Sequence, residues 1–424
     1  MDTIKKVFKS KEMLLKIGFT LLVFFIFKLC TLIPAISYGT QIFSVDESQG
    51  FLGILNSFSG DALRNYSIVA LGIGPYITAS IIIELLQMDI IPVLKEWREE
   101  GEVGKRKLGA LTRYAGLGIA FVQALAMTFG LSSTLFPAGQ TTFISLTAIA
   151  ITLTAGTALM MWLADQITLR GVGNGSSMLI VAGILISFPD NVETLFTGLS
   201  NEWTGYLKAG LTLLMFFVVL IGIVFMEAAV RKIPIQYSNR PGAAKFQGSS
   251  ESSFPIKLNT ASVIPVIFAS TIMGIPLTIL SFVAKDSSSH SYQWLNQVFN
   301  SSNVIGFAIY MILTFVFTIF YTFLQLDPKK TAEDLQKQGA YIPGYRPGLE
   351  TETYLTKVIF KTTMVGGLYL CLVAALPTIA TMLGASSAIS IGGTSLLIVV
   401  GVAIETVRQI KTDVQDQRYS GFLK

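Results

Sequence analysis

The chain has 424 residues, of which 52% are hydrophobic and only 13% charged. Soluble domains carry roughly 25% charge, so a chain this apolar reads as a polytopic membrane protein. Its two cysteines, Cys30 and Cys371, both sit in apolar runs, which excludes a disulfide framework and a cysteine-rich metal site. The single histidine, His290, excludes a multi-histidine metal centre, and no metal or cofactor is expected.

A membrane helix needs about 20 mostly apolar residues. Residues 1–16 are polar and basic and predict a short amphipathic helix on the cytoplasmic surface, not a cleaved signal peptide. Ten spans follow, at roughly 17–36, 54–90 (broken), 110–130, 143–164, 172–189, 207–227, 259–283, 303–325, 357–380 and 389–407. The 51 uncharged residues between Arg113 and Asp165 are too many for one span, and Ser132, Ser133, Pro137, Gly139 and Gln140 divide them. With the N-terminus inside, cytoplasmic segments hold 27 of the 31 basic residues. The external loops hold Arg64, Lys208 and Lys285, and Lys28 lies in the first span. Both termini are therefore expected in the cytoplasm.

Ten spans divide into an N-terminal half, 17–190, and a C-terminal half, 205–410, followed by a cytoplasmic tail, 411–424. An odd number of spans per half inverts the second half relative to the first. A trace of repetition survives in the letters. Pro75-Tyr76-Ile77-Thr78-Ala79-Ser80-Ile81-Ile82 resembles Pro265-Val266-Ile267-Phe268-Ala269-Ser270-Thr271-Ile272, the second helix of each half. The expected fold is thus all-α, two inverted five-helix halves around a central seam.

Three segments depart from plain membrane helix. Residues 53–66 are too polar for lipid and too apolar for a free loop, with Leu55, Phe58, Ala62 and Tyr66 near helical spacing. They read either as a short helix re-entering a cavity from outside or as an ordered external loop. The loop 228–258 alternates Ile233, Ile235 and Tyr237, turns at Asn239-Arg240-Pro241-Gly242, and alternates again at Phe254, Ile256 and Leu258, as a hairpin-like finger would. The loop 326–356 starts with Asp327-Pro328, an N-cap followed by proline, and predicts a helix that stops at Gly339. Pro343-Gly344-Tyr345-Arg346-Pro347-Gly348 then forms a rigid turn that presents Arg346. Loops with this much built-in structure generally bind a partner.

Charges within spans are few: Lys28 can snorkel to an interface, and Glu84 reads as an interfacial carboxylate near the cytoplasmic end of span 2. Gly171-Val172-Gly173-Asn174-Gly175 lacks a preceding strand and fits a tight cytoplasmic turn rather than a dinucleotide loop. There is no Walker sequence, and His290 has no obvious serine or cysteine partner, so an enzyme is not expected.

Several stretches resemble the SecY protein-translocation channel family, and the likeness runs through nearly the whole chain. They are Ala70-Leu71-Gly72-Ile73-Gly74-Pro75-Tyr76-Ile77-Thr78-Ala79-Ser80, Gly101-Glu102-Val103-Gly104-Lys105-Arg106-Lys107, residues 171–175, and 230–237 from Val230 to Tyr237. Val263 to Ala269, Lys337 to Gly348 and Ile391 to Ile398 complete the set.

The resemblance implies a passive, gated channel for unfolded polypeptides, which also releases apolar segments sideways into lipid. It implies a plug at about 54–66, here Asn56, Ser57, Phe58, Ser59, Gly60, Asp61, Ala62, Leu63 and Arg64. It implies a pore ring of Ile77, Ile81, Ile180, Ile184, Ile267 and Ile398, and a lateral gate of spans 2, 3, 7 and 8 with Thr78, Gln123 and Pro265. A narrow apolar ring disfavours ions without binding the passing chain. Partner docking falls on Arg231, Lys232, Arg240, Lys337 and Arg346. The implied partners are small membrane subunits of the SecE and SecG type, the SecA motor, the ribosome, signal peptides, unfolded polypeptides and the lipid bilayer, with no sequence-specific nucleic acid. The implied location is the cell membrane. Glu84 stands where the family usually has glutamine. The rival reading is a secondary transporter of a small solute. It would need polar groups near the midplane, and spans 3, 4, 6, 7, 8 and 10 carry no acid or base in their central parts.

Overall fold

The computed structural model describes residues 10–35, 56, 58–87, 90–130, 143–197, 203–237, 253–283, 290–300, 303–382 and 392–420. The first helix, α1 (Lys11–Leu32), begins at Ser10, whose hydroxyl accepts the Met13 N–H at 3.4 Å. Residues 11–16 are continuous with the helix of span 1, because the cap sits at Ser10. Residues 1–9 of the expected amphipathic helix lie outside the described residues.

The N-terminal half continues with α2 (Gly74–Leu86), a short α3 (Pro92–Glu99), α4 (Glu102–Gly130), α5 (Phe143–Arg170) and α6 (Gly175–Thr197). The C-terminal half contains α7 (Trp203–Ala228), α8 (Ile264–Val283), a short α9 (His290–Phe299), α10 (Val304–Gln325), α11 (Pro328–Lys337), α12 (Leu349–Met382) and α13 (Gly392–Ser420). Ten of these helices fall on the ten predicted spans. Among the described residues, five helical stretches are long and apolar enough to cross a membrane, and Gly74–Leu86, Gly175–Asp190, Leu214–Ala228 and Ile264–Gly274 are shorter apolar stretches. Several helices run beyond their expected spans: α4 starts at Glu102, α5 continues to Arg170, α6 to Thr197, α12 starts at Leu349, and α13 continues past 407 into the predicted tail. These extensions are polar, so apolar content alone could not register them.

The two halves repeat one pattern of packing. In the first, α2 packs on α4, α4 on α5, α5 on α6, and α1 on α6. In the second, α8 packs on α10, α10 on α12, α12 on α13, and α7 on α13. Pro75 and Pro265 both sit in the first turn of their helices, α2 and α8, so the repeated letters mark equivalent starts. Proline is well tolerated there, since its missing N–H has no partner in a first turn.

The halves meet where α8 touches α2 and α4, and where α13 touches α6. A single large core draws Phe27, Met160, Leu179, Ile223, Val266, Leu370 and Ile398 from both halves. Buried threonines are satisfied within α10: Thr314, Thr318 and Thr322 each donate to the carbonyl four residues earlier, at 2.7–2.8 Å. In lipid this matters, because no water is present to take the bond. The 171–175 segment is the tight turn expected, with Gly173 at φ 85°.

The two large loops fold together. Strand β1 (Val230–Pro234) pairs antiparallel with β3 (Ser253–Lys257), as the alternation predicts. The turn at 239–242 lies outside the described residues. In addition, β2 (Gln236–Tyr237) pairs with β4 (Ala340–Tyr341) of the other loop. Ile233, Ile235, Ile256, Leu335, Ile342 and Leu355 close a separate small core between them. Helix α11 begins as expected, with Asp327 accepting the N–H groups of Lys329 and Lys330 at 3.0 and 3.3 Å. Gly339 takes φ 66° just beyond its end.

Candidate functional site

The segment before α2 lies inside the bundle. Asn56, Phe58, Ser59, Ala62, Leu63 and Tyr66 are all buried, at most 9% exposed, whereas Arg64 is exposed. Burial of a polar asparagine requires partners. The Asn56 amide donates to Asp61 Oδ1 at 2.9 Å, and Asn56 Oδ1 accepts the Arg64 N–H at 3.2 Å. The Ser59 hydroxyl donates to the Asn56 carbonyl at 3.0 Å. These bonds hold a tight fold in which Gly60 and Asp61 adopt φ 65° and 61°. Ser57 lies outside the described residues.

This fold rests directly on α6. A Cβ at Gly183 would run into the Phe58 carbonyl oxygen, and would lie 2.8 Å from the Phe58 carbonyl carbon and 3.2 Å from Gly60 N. The far end of the segment is tied elsewhere. Ala35 N–H donates to Tyr66 O at 2.9 Å and Ile68 N–H to Ile33 O at 3.0 Å, joining it to the end of α1. The Tyr66 hydroxyl pairs with Thr128 Oγ1 at 3.0 Å, and Leu63 and Tyr66 join a second core with Met127 and Leu153 of α4 and α5.

The six isoleucines come from four helices around this segment. Ile180 and Ile184 of α6 and Ile398 of α13 are buried in the same core as Phe58 and Ala62, and Ile77 of α2 and Ile267 of α8 pack against it. Ile81 is buried at 4% exposure but lies outside that cluster. Thus Phe58 and five of the six share one apolar centre, where the two halves face each other.

The seam beside this centre is apolar and aromatic. Phe268 of α8 stacks edge-on against Phe317 of α10, with ring centroids 4.2 Å apart. Pro265 is buried and Gln123 is half-buried. Thr78 directs its hydroxyl to the Gly74 carbonyl of its own helix at 3.1 Å. The seam's polar link is Glu84 of α2, which accepts the Tyr321 hydroxyl of α10 at 3.5 Å. At the opposite edge, Lys16 pairs with Asp413 at 3.2 Å, and Thr406 Oγ1 lies 3.7 Å from Met178 Sδ.

Four of the five predicted docking residues fall on the loop module. Arg231 and Lys232 are exposed on β1, and Lys337 is exposed at the end of α11, near Glu333 and Asp334 at 3.9 Å each. Arg240 lies outside the described residues. Arg346 is exposed, and among the described residues its guanidinium has no ion-pair partner. Its backbone is fixed instead: its N–H donates to Glu350 Oε2 at 3.1 Å, and its carbonyl accepts the Thr351 hydroxyl at 2.8 Å. Gly344 and Gly348 on either side adopt φ 88° and 104°, and Tyr345 packs on Tyr354 at 4.2 Å.

Sequence reasoning missed one buried pair. Glu227 at the end of α7 and Asn259 before α8 are only 6% and 3% exposed, and the asparagine amide donates to Glu227 Oε1 at 2.6 Å. The pair fastens the base of the finger to the bundle, beside the Leu258 N–H to Ala229 O bond of 3.1 Å. Among the described residues, no group of three or more histidine, cysteine or acidic side chains is placed to hold a metal.

The family model described as SecY matches residues 67–407. Protein translocase subunit SecY of Staphylococcus aureus is 42% identical over 432 residues, with 99% of each chain covered. Protein translocase subunit SecY of Bacillus licheniformis is 40% identical, covering 100% of this chain and 99% of that one. Among solved structures, a protein-conducting channel matches with TM-score 0.64 at 19% identity, covering 94% of this chain and 91% of that one. A SecY structure described by its plug domain, said to stabilise the closed state and maintain a membrane seal, matches with TM-score 0.63 at 20% identity, with the same coverage. At these identities the structures show a shared fold, whereas the curated relatives show common descent along the whole chain. The chain belongs to the SecY family of protein translocase channel subunits.

Proposed function

We propose that this chain is the gated conduit through which unfolded polypeptides cross the membrane, with the roles of its parts as follows. The observation that supports it best is the seating of Phe58, Gly60 and Ala62 on α6, where the isoleucines of both halves converge. An apolar centre of this kind gives a passing chain no specific hydrogen bond and gives ions no ligand, which suits transport of any sequence under a seal. In this reading Asn56 to Arg64 are the plug, and Ile77, Ile81, Ile180, Ile184, Ile267 and Ile398 are the constriction. The seam of α2, α4, α8 and α10 parts sideways so that an apolar helix reaches lipid. Residues 17–190 and 205–410 move as the two shells.

The loop module is the docking face. Exposed Arg231, Lys232, Lys337 and Arg346 suit acidic or phosphate-bearing partners, of which the ribosome and the SecA motor are the proposed ones. The chain supplies no energy source of its own in this reading, so the motor or the ribosome does. Small subunits of the SecE and SecG type accompany it, and both termini lie in the cytoplasm with the protein in the cell membrane. A stalled secretory chain carrying a photocrosslinker tests the reading. It should crosslink to Ile77, Ile184 and Ile398 in reconstituted vesicles. Crosslinks confined to lipid-facing positions such as Phe25 or Phe225 would overturn it.

A further inference from the structure

We infer that α9 is an interfacial helix, lying in the lipid boundary on the side opposite the loop module, with Trp294 as its membrane anchor. The inference does not depend on what the channel carries; it needs only a multi-pass membrane protein. Helix α9 joins the ends of α8 and α10 that lie away from the loop module, and it touches both helices. Residues 287–326 hold no aspartate, glutamate, lysine or arginine, so nothing of either charge opposes contact with lipid in α9 or α10. The helix is two-sided. Leu295, Val298 and Phe299 fall on one arc at helical spacing and are half-buried, and Phe299 packs against the large core. Asn296, Gln297 and Asn300 fall on the opposite arc. Trp294 stands where the two arcs meet, one turn before Val298, and is 59% exposed. A helix with one apolar arc, one uncharged polar arc and an aromatic ring at the border suits a membrane surface.

The level of α9 is set by its attachment to α10. The Asn303 side-chain amide donates to the Asn296 carbonyl at 3.3 Å, and the Asn303 N–H donates to the Asn300 carbonyl at 3.1 Å. Gly306 makes room for the joint: a Cβ there would run into the Asn300 carbonyl oxygen and lie 3.1 Å from that of Val298. The two helices are therefore fixed to each other at 296–306. From this joint onward α10 carries an uncovered apolar stripe on one helical face, Ile305, Ile312 and Val316, each more than half exposed. In a multi-pass membrane protein such a stripe faces acyl chains, and Ile305 marks where they begin. Trp294 is thus held at the level where hydrocarbon gives way to headgroups. An indole is well placed there, with its ring against acyl chains and its N–H towards headgroups and water. Lipid is the occupant rather than a protein, because the exposed ring sits at the same level as a stripe that lipid already covers. Anchored in this way, α9 holds the ends of α8 and α10 against sliding along the membrane normal.

The test uses the full chain in phosphatidylcholine vesicles, with Trp97, Trp162 and Trp203 replaced by phenylalanine so that Trp294 alone fluoresces. Its emission is read against lipids brominated near the headgroup, lipids brominated near the bilayer centre, and acrylamide in the water. The shallow bromines should quench it strongly, the deep bromines weakly, and acrylamide far less than it quenches free tryptophan. Quenching by acrylamide as in free solution would overturn the inference, since the ring would then lie in water. Equal quenching by deep and shallow bromines would overturn it too, and so would weak quenching by all three, which would mean that protein covers the ring. A second measurement leaves the other tryptophans unchanged and follows hydrogen exchange of the α9 amides in vesicles. Trp294→Ser removes the anchor and should speed that exchange, whereas Trp294→Tyr keeps an interfacial ring and should stay near the wild type. Exchange unaltered by Trp294→Ser, or accelerated equally by Trp294→Tyr, would refute the anchoring role.

Discussion

Replacing Gly183 by alanine separates a seated plug from a structural loop. The glycine lies on the face of α6 that carries the Phe58 carbonyl, and the new methyl would stand 2.8 Å from the carbonyl carbon, where ordinary contact begins at 3.4 Å. Both sides of the clash involve backbone, so no side chain can swing away, and because the carbonyl oxygen lies nearer still than the carbon the segment has to rise by more than about 0.6 Å or leave. Overpacking of this kind costs about 1–3 kcal/mol, a shift of roughly 5- to 150-fold from seated towards displaced plug. The helix itself is not harmed, since alanine favours a helix interior over glycine by about 1 kcal/mol. The variant should thus insert and fold normally while its resting ion conductance in planar bilayers rises, and while preproteins with weakened signals pass more readily. Gly118→Ala in α4 is the control, because nothing lies within 4 Å of a Cβ there. Wild-type conductance in Gly183→Ala, with the protein correctly inserted, would refute the idea that close seating of Phe58 on α6 maintains the seal.

Ile77→Gly combined with Ile398→Gly removes apolar bulk from two facing helices, and should raise ion leak in the same bilayer assay once the plug is also displaced. Arg346→Glu should stop motor-driven export into inverted vesicles while leaving the protein inserted, with Arg346→Lys intermediate because charge remains and the planar fork is lost; normal export by Arg346→Glu would remove the docking role. Leu355→Ala empties a fully buried position under both loops, so protease cleavage of the finger and of the α11 loop should increase together, reflecting a loss of about 2–5 kcal/mol. Asn259→Ala leaves the buried Glu227 carboxylate without its 2.6 Å donor, and should lower thermal stability in detergent by more than a surface substitution does.

What the sequence discloses follows the range of the interactions. Helices within apolar runs, the Asp327-Pro328 cap and the Gly339 stop are local, and their residues declare them. The hairpin-like alternation of 233–237 and 254–258 is also local, and β1 and β3 do pair, with Ile233 opposite Phe254. The oddness of 53–66 is visible too, but its letters suit an external loop as well as an inserted one. What decides is Gly183, more than a hundred positions on, whose missing side chain admits the Phe58 backbone. The same holds for Tyr237 opposite Ala340, which fuses two loops that each look independent. Glu227 and Asn259 each read as ordinary residues at a helix end, and only their pairing makes burial tolerable.

Glu84 shows why this limit is physical. A carboxylate near the end of a span has two ordinary outcomes, water at the interface or a partner in the protein, and nothing within its own helix separates them. Tyr321 lies 237 positions away on α10. The two halves must be complete and closed before the tyrosine hydroxyl comes within reach. A group whose partner lies in the other half of the chain finds it only in the assembled bundle, and the bond it makes is therefore a property of the packed halves and not of span 2.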